Sequence, residues 1–177
     1  PRPVSLARFS PAVRDWCEAS FDAPTAAQSK GWAAIAEGDH TLVLAPTGSG
    51  KTLAAFLWSI DRLATQPPPV DQKARTRVLY ISPLRALAVD VEKNLRAPLT
   101  GIGLAGERLG EHVHEPRVAM RTGDTTTTER RRIQTRPPDI LITTPESLYL
   151  MLTSQAREVL RSVRWVIVDE IHAMAGT

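Results

Sequence analysis

Cysteine is nearly absent from this sequence, and so is any long apolar run. Cys17 is the only cysteine among 177 residues, which excludes a disulfide framework and a cysteine-based metal site. No stretch approaches the roughly 18 consecutive apolar residues that a membrane-spanning helix needs, and the N-terminus lacks a signal-peptide pattern. We therefore expect an intracellular, cytoplasmic protein in which Cys17 is buried and unreactive.

An excess of either charge is also missing. Lys and Arg number 22 against 19 Asp and Glu, a net charge of +3, which permits a polyanionic partner without arguing for one. Apolar residues make up 42% and charged residues 23%, as in ordinary globular domains, and the length fits one domain. The chain starts at Pro1 rather than Met and stops at Thr177, soon after an acidic pair. We therefore expect a fragment of a longer polypeptide.

Five short apolar runs alternate with longer segments of helical pattern. Most are rich in Val, Ile and Leu and nearly continuous, as in strands buried on both faces. The predicted strands are Thr41–Ala45, Val78–Ser82, Val118–Thr122, Ile140–Thr144 and Val163–Asp169. This alternation predicts an α/β fold, with helices on both faces of a mostly parallel sheet. The C-terminal ends of all the strands then lie at one edge of the sheet.

Local signals mark where helices begin. Thr25 with Gln28, and Thr126 with Glu129, have the spacing of a capping box. Two further pairs place a hydroxyl at the N-cap and a proline at the first helical position. These pairs are Ser82–Pro83 and Thr144–Pro145. The composition of segments 66–75 and 101–116 predicts irregular surface structure there.

The strongest local signal is Ala45–Thr52, which reads Ala-Pro-Thr-Gly-Ser-Gly-Lys-Thr. Gly48 and Gly50 can adopt backbone angles that other residues resist, so that successive N–H groups can turn toward phosphate oxygens. Lys51 adds a positive charge for the terminal phosphates, and the Thr52 hydroxyl can bind magnesium. The predicted nucleotide site also includes the loop residues Pro46, Thr47 and Ser49. The loop lies between a predicted strand and a helix predicted over 52–63, the context that a phosphate-binding loop requires.

A second candidate site lies at the end of the last predicted strand, where Asp169 and Glu170 follow an apolar run. Successive side chains of an extended chain point to opposite sides, so Asp169 is predicted to face magnesium and Glu170 the attacking water. The parallel sheet puts this strand end at the same edge as the loop after Ala45. Together the two segments predict hydrolysis of Mg-ATP by positioning and electrostatics. Taken alone, the two acids could be solvated side chains.

Ala45–Thr52, with the sequence Asp-Glu-Ile-His at 169–172, resembles the superfamily 2 helicases of the DExH type. Arg121–Thr125 and the run from Asp169 are most similar to the large helicase-related (Lhr) branch. The resemblance covers nearly the whole chain and implies a RecA-like ATP-binding domain over residues 1–177 that uses ATP and Mg²⁺. It also implies 3′-to-5′ movement along single-stranded DNA or an RNA–DNA hybrid, in DNA repair. A second RecA-like domain would be needed and is not in this chain.

The resemblance assigns roles to particular residues. Phe21, Pro24, Thr25 and Gln28 resemble the Q motif, which reads adenine in the family, although Gln28 has a compatible local role in a capping box. Segments 82–87 and 144–148 resemble motifs Ia and Ib, which contact the nucleic-acid backbone in relatives. The implied nucleic-acid site comprises Pro83, Arg85, Thr122, Gly123, Asp124, Thr144, Pro145 and Glu146.

His172 and the arginine run 130–132 with Arg136 leave more than one interpretation open. From the sequence alone, His172 could lie in the core, on the surface, at a ligand or in a relay. The resemblance implies that it couples ATP to nucleic-acid binding and acts with Lys51, Asp169 and Glu170. The arginine run is the densest basic cluster, and such runs are usually solvated helix surface. The four tryptophans are expected to pack in the core.

Other functions share parts of this pattern. A P-loop phosphotransferase uses the same phosphate loop, but the acidic motif and the Ser-Pro and Thr-Pro loops disfavour it. A catalytically silent nucleic-acid-binding module would not need all four of Lys51, Thr52, Asp169 and Glu170. A DExH RNA helicase is the nearest alternative to a DNA-directed motor. We expect the isolated chain to bind Mg-ATP weakly and not to unwind duplexes.

Overall fold

The computed structural model describes residues 6–46 and 49–174. The α-helices are Pro11–Ser20 (α1), Ala26–Glu37 (α2), Lys51–Thr65 (α3), Arg85–Leu109 (α4), Thr127–Thr135 (α5), Pro145–Leu152 (α6) and Ile171–Met174 (α7). The strands are Val78–Ile81 (β1), Val118–Arg121 (β2), Ile140–Thr143 (β3) and Trp165–Val168 (β4), and short 3-10 helices cover Gln72–Ala74 and Gln155–Leu160. Within these ranges, no helix has both the length and the apolar character needed to cross a membrane.

The four strands form one parallel sheet in the order β2-β3-β1-β4, which confirms the predicted α/β class. The register aligns the strand ends, because Ile81 pairs with Thr143 and Val168, and Arg121 also pairs with Thr143. The next residue of each chain segment therefore begins a loop at the same level. Across the sheet these residues are Thr122, Thr144, Ser82 and Asp169. The sequence analysis assigned each of the four to a strand, one residue too far.

The central strands β1 and β3 are buried on both faces. Leu79 and Leu141 pack on one face with Ile133 of α5 and other apolar residues. On the other face, Tyr80 and Ile142 are at most 1% exposed. The edge strand β4 has an alternating pattern instead, with every second side chain exposed. Burial on both faces is therefore confirmed for the central strands and not for this edge, which has a neighbour on one side only.

The prediction of a strand at Thr41–Ala45 is wrong, because this segment has no regular secondary structure. Leu42 is 68% exposed and Leu44 is 83% exposed. An apolar run becomes a strand only where a neighbouring strand supplies backbone hydrogen-bond partners and a face to bury its side chains. Among the described residues no strand pairs with this segment, so its apolar sequence does not produce a fifth strand.

The chain divides into two compact units. We call the described residues up to Pro67, together with Ala97–Glu115, the helical unit; Pro68–Arg96 and the described residues from Pro116 onward form the sheet unit. In the helical unit the ring of Phe9 meets Trp32 and Trp58 edge-on, at centroid distances of 5.3 and 5.6 Å. These edge-to-face contacts are favourable for aromatic rings. Core packing is confirmed for Trp32, which is 2% exposed, whereas Trp58 is half-buried.

The predicted irregular segment 101–116 is wrong over its first half, because α4 continues to Leu109. Its glycines misled the prediction, since glycine and Pro98 both lower helix propensity. Two of these glycines allow close packing instead, because a Cβ would overlap Trp16 at Gly101 and Val113 at Gly106. The helix is held by a buried face that comprises Leu99, Ile102 and Ala105.

Cys17 lies inside the helical unit, where it is 3% exposed and forms no disulfide. Burial raises the pKa of its thiol to about 12, and the charges of Asp61 and Glu18 add to the effect. Because the thiolate is the reactive form of cysteine, this environment suppresses nucleophilic chemistry. The predicted burial of Cys17 is confirmed.

Candidate nucleotide and nucleic-acid sites

The glycine-rich loop turns sharply into α3. Gly50 has a left-handed backbone with φ of 77° and forms the N-cap of a helix that begins at Lys51. L-residues with a Cβ resist this conformation, and a Cβ here would also overlap the amide nitrogen of Gln28. The structure therefore requires glycine at position 50, as predicted. The predicted residues Thr47 and Gly48 lie outside the described residues.

The donors of this loop bond to the loop's own carbonyls. The amine of Lys51 donates to the Ala45 carbonyl at 2.6 Å, and the Ser49 hydroxyl donates to the Pro46 carbonyl at 2.6 Å. The side chain of Thr52 is exposed in the first turn of α3. The Lys51 side chain thus connects the start of α3 to Ala45 at the beginning of the loop. Its charge lies at the N-terminus of α3, where the helix dipole also favours anions.

Thr25 and Gln28 form the predicted capping box at the start of α2. The Thr25 hydroxyl accepts from the Gln28 N–H at 3.2 Å, and Gln28 Oε1 accepts from the Thr25 N–H at 2.9 Å. The same hydroxyl donates to the Ser49 carbonyl at 3.1 Å, which ties this turn to the glycine-rich loop. A cavity of about 110 Å³ lies beside Gln28 and is lined in part by Phe21 and Pro24. Three Q-motif residues thus share one cavity wall.

Asp169 is fixed at the end of β4 by three hydrogen bonds. Its N–H donates to the Ile81 carbonyl at 3.0 Å, its Oδ1 accepts from the Glu170 N–H at 3.0 Å, and its Oδ2 accepts from the Tyr80 hydroxyl. These bonds aim a carboxylate at the C-terminal edge of the sheet, where open α/β sheets bind ligands. The predicted position of Asp169 at this edge agrees with the structure.

Tyr80 is a residue that the sequence analysis missed. It is 1% exposed on the central strand β1. Burial raises the pKa of its hydroxyl, and the hydrogen bond to Asp169 raises it further, so Tyr80 remains a proton donor to that carboxylate. A phenol within an aliphatic strand was the available signal, because buried tyrosines need a partner for the hydroxyl.

Glu170 departs from the predicted extended geometry. Its φ is 46°, the one positive value at a non-glycine residue over 6–46 and 49–174. The argument that Asp169 and Glu170 point to opposite sides of an extended chain is therefore wrong, because the backbone turns at Glu170 to enter α7. Residues with a Cβ adopt this region at a cost of roughly 1 kcal/mol, and such strain is concentrated at functional positions.

His172 lies on the surface and pairs with Glu170. Its Nδ1 is 3.3 Å from Glu170 Oε2, and its side chain is 78% exposed. Of the four interpretations that the sequence left open, the structure supports a surface position next to an acidic side chain. The pair joins the first turn of α7 to the strained residue before it.

The segment after β1 differs from the predicted helix start. α4 begins at Arg85, and the Ala88 N–H donates to the Leu84 carbonyl at 3.1 Å. Ser82 is therefore not the N-cap, and Pro83 does not occupy the first helical position. The Ser82 hydroxyl instead donates to the Leu84 carbonyl at 3.0 Å. This bond satisfies the hydroxyl within the loop, where Ser side chains often bond to nearby backbone.

The loop after β2 is linked to α4 and α5. Arg85 forms an exposed ion pair with Asp124, and the Thr122 N–H donates to the Thr125 hydroxyl at 2.8 Å. Arg130 Nη2 donates to the Gly123 carbonyl at 2.7 Å. Two of the predicted nucleic-acid residues thus contact each other directly, and a third is held by α5. Arg130 is half-buried, unlike the exposed Arg131, Arg132 and Arg136, so the solvated-surface interpretation is wrong for it.

The loop after β3 matches its prediction. Thr144 is the N-cap of α6, Pro145 is the first helical residue, and Glu146 lies in the first turn. The Thr143 hydroxyl donates to the Arg121 carbonyl at 2.7 Å, which joins this loop to the end of β2. All the predicted nucleic-acid residues and the acidic pair therefore lie in the loops, or in the first helical turns after them, at one edge of the sheet unit. The predicted nucleotide-loop residues belong to the helical unit, so their meeting with Asp169 stays a prediction.

The comparisons with known proteins identify a family. The model of the DEAD/DEAH box helicase family matches residues 25–177. Among curated proteins, the chain is 60% identical over 172 residues to a Lhr helicase/probable uracil glycosylase of Mycolicibacterium smegmatis. It is 54% identical over 183 residues to the Lhr helicase/uracil glycosylase of Escherichia coli. These alignments cover 97% and 100% of the chain.

The solved structures agree with the sequence relatives. The chain matches Mycobacterium smegmatis helicase Lhr bound to ssDNA and AMP-PNP with a TM-score of 0.91 and 60% identity. The match covers 98% of this chain and 22% of that one. The DUF1998 helicase MrfA matches with a TM-score of 0.74 at 20% identity, a likeness of fold alone. The chain spans only 11 and 12% of the two curated relatives.

Proposed function

Because the chain belongs to the DEAD/DEAH box helicase family, we propose that it is the ATP-binding domain of an ATP-dependent motor that moves along a single nucleic-acid strand. The observation that carries the proposal is the turn at Gly50, which starts α3 at Lys51 and leaves the lysine amine across the loop mouth. A loop of this form, followed by a helix N-terminus, is suited to phosphate.

On the nucleotide side, we assign the phosphates to the loop 46–52, with Lys51 exchanging the Ala45 carbonyl for a phosphate oxygen. The exchange is favourable because an ionised acceptor forms a stronger hydrogen bond with an ammonium than a neutral carbonyl does. We assign adenine to Gln28 and the cavity beside it. Gln28 Oε1 already accepts one hydrogen bond, and its second lone pair and its amide group are suited to a base edge.

Magnesium would be held by Thr52 and Asp169. Within the described parts of the chain, no cluster of three or more His, Cys, Asp or Glu side chains could form a metal cage. This fits Mg²⁺, which commonly binds one or two protein oxygens and completes its shell with phosphates and water. The Tyr80 hydroxyl and the Glu170 N–H orient the Asp169 carboxylate for that role. When bound, the ion would neutralise charge on the phosphates.

Glu170 would orient or deprotonate the attacking water. Its positive φ places its carboxylate just past the strand end, and its contact with His172 Nδ1 at 3.3 Å restrains the side chain. His172, exposed on α7, is then positioned to report the state of Glu170 to a second RecA-like domain of the same polypeptide. The chain's small share of its relatives' length leaves room for that domain.

The polymer is assigned to the loops after β1, β2 and β3. A helix N-terminus at Thr144 and the side chains of Arg85 and Thr122 suit a sugar-phosphate backbone. We propose single-stranded DNA, because the 60% identical helicase is described as bound to ssDNA. An RNA–DNA hybrid and single-stranded RNA are the alternatives that experiment should separate.

The test is ATP turnover by the whole protein that contains this chain, with dT oligonucleotide, matched RNA, an RNA–DNA hybrid or no polymer. We expect stimulation by DNA, and we expect Lys51→Ala to reduce turnover by at least a hundredfold while DNA binding persists. Lys30→Ala, which alters a lysine of α2 outside the proposed sites, is the matched control. Turnover that responds to a small phosphate acceptor rather than a polymer would favour the phosphotransferase. DNA binding with no ATP turnover would favour the silent module.

A further inference from the structure

Arg121, the last residue of β2, is buried, and two of its three guanidinium nitrogens have no hydrogen-bond acceptor. The residue is 6% exposed. Its Nε and Nη1 atoms are inaccessible to solvent and have no hydrogen-bond partner in the structure. Among residues 6–46 and 49–174, which the structure describes, no ion pair includes Arg121. Buried charges are normally paired and hydrogen-bonded, so this side chain needs an explanation.

A second arginine, Arg130, bonds to the loop that follows Arg121 and acts on its charge. Arg130 lies on α5 and lowers the pKa of Arg121, although burial has the larger effect. Its Nη2 donates to the Gly123 carbonyl, and its Nε is also buried without a partner. Two like charges therefore lie together beneath the loop 122–126, and both have unused donors.

A structural role alone does not account for this arrangement. A guanidinium placed there for packing would be as well served by an apolar side chain, since replacing buried charged groups by apolar ones is often neutral or stabilising. The nearby acidic side chains are already engaged, because Asp124 pairs with Arg85 and Glu129 accepts from Thr126. An anion from outside this part of the chain would supply the missing acceptor.

We propose that Arg121 and Arg130 form an anion site beneath the loop 122–126 that binds one phosphodiester of the nucleic-acid strand. This inference rests on the proposed function and adds the side chains of Arg121 and Arg130 to the residues that contact the strand. Arg121 is joined to the loop after β3 through the Thr143 hydroxyl, and Arg130 to the loop after β2 through Gly123. The site thus lies beside two of the three loops to which the strand is assigned.

A phosphodiester fits the donors better than a carboxylate or a halide does. A guanidinium offers parallel N–H groups that match two phosphate oxygens, and two such groups can share one phosphate. A strand also supplies phosphates at regular spacing, so that one can enter this site while neighbours meet Arg85 and the N-terminus of α6. The energy lost by burying Arg121 unpaired is then recovered when the strand binds.

The experiment uses the whole protein, a fluorescein-labelled dT oligonucleotide and AMP-PNP, with binding measured over a series of salt concentrations. Arg121→Met removes the charge and keeps a long side chain. We expect at least a tenfold loss of affinity at low salt. The plot of log binding constant against log salt concentration has a negative slope, and its steepness should decrease by about 0.7, the value for one phosphate contact with a single strand. Thermal melting without DNA should be unchanged or higher, because an unpaired buried charge has been removed.

Two further variants calibrate this result. Arg131→Gln removes an equal charge from the exposed side of α5 and should leave the salt slope unchanged. Arg121→Lys keeps the charge and the slope but loses the paired N–H geometry, and affinity should fall at least threefold. If Arg121→Met does not fold, Arg121→Lys decides: a threefold or greater loss supports the site, and wild-type affinity overturns it.

The outcomes separate this inference from the proposed function. A wild-type protein that neither binds the oligonucleotide nor hydrolyses ATP in its presence would refute the motor itself. A wild-type protein active with DNA, together with an Arg121→Met variant of unchanged affinity and slope, would refute only the anion site. A lower melting temperature with unchanged DNA binding would likewise assign Arg121 a purely structural role.

Discussion

The glycine-rich loop of the helical unit and the strand-end loops of the sheet unit satisfy their polar groups in opposite ways. In the first, Lys51 and Ser49 donate to neutral carbonyls of their own loop. In the second, charged side chains pair with one another, as Arg85 does with Asp124, and Arg121 is left with unused donors. The difference fits the proposal that the first site exchanges weak acceptors for phosphate, whereas the second takes up a ligand.

The largest effect is expected at Gly50, where the backbone conformation and a neighbouring side chain both exclude a Cβ atom. Gly50→Ala puts a Cβ on a residue with φ of 77° and against the Gln28 amide, and we expect a loss of about 2 kcal/mol in unfolding free energy with nucleotide binding abolished. Gly103→Ala is the control, because nothing lies near its Cβ and helix propensity favours alanine. Denaturant unfolding and AMP-PNP titration measure both. Equal stability of the two variants would contradict the loop geometry.

The next effect concerns the sheet unit. Tyr80→Phe keeps the ring in the core and removes the hydroxyl that donates to Asp169. We expect ATP turnover to fall about tenfold and the Mg²⁺ concentration for half-maximal turnover to rise. Stability should fall by about 1–2 kcal/mol, since a buried hydrogen bond is lost. Tyr149→Phe, at a side chain 67% exposed, should behave as wild type. An unchanged Mg²⁺ response in Tyr80→Phe would show that Asp169 does not depend on this bond.

A smaller effect is expected at Glu170, where substitution by glycine should raise stability and abolish activity. Glu170→Gly relieves a backbone held at φ of 46° and should raise the free energy of unfolding by about 0.5–1 kcal/mol while turnover is lost. Glu170→Gln should lose turnover without that gain, because its backbone keeps a Cβ. Melting curves compared with steady-state kinetics provide the measurement. A melting temperature no higher for Gly than for Gln would argue against strain at this residue.

The smallest effect is expected at the pair of Arg85 and Asp124. Both side chains are more than half exposed, so a double-mutant cycle with alanine should give a coupling of about 0.2–1 kcal/mol, weakened by salt. With the dT oligonucleotide bound, we expect the coupling to vanish, because Arg85 would contact phosphate instead. A coupling energy that is equal with and without DNA would mean that the pair is purely structural. The two units would then differ less than proposed in how their polar groups bind ligands.

The sequence predicted the features that follow from local chemistry. Four of the five strands, both capping boxes, the cap at Thr144 and the glycine at position 50 each depend on a few adjacent residues. The wrong predictions involve distant ones. α4 extends through Gly101 because Trp16 packs there, and Thr41–Ala45 is not a strand because strands need partners. Tyr80 was missed because its role depends on Asp169, which lies far along the chain, and the turn at Glu170 has no sequence signal, because glutamate rarely adopts positive φ.

The shared level at which the four strands end has a consequence for sequence change. The residues that follow β2, β3, β1 and β4 are Thr122, Thr144, Ser82 and Asp169, so four oxygen-bearing side chains cross the sheet in one row. Inserting or deleting one residue inside any strand would move its oxygen out of that row and reverse the faces of the strand's other side chains. The four-residue length of each strand is therefore constrained together with the side chain that follows it.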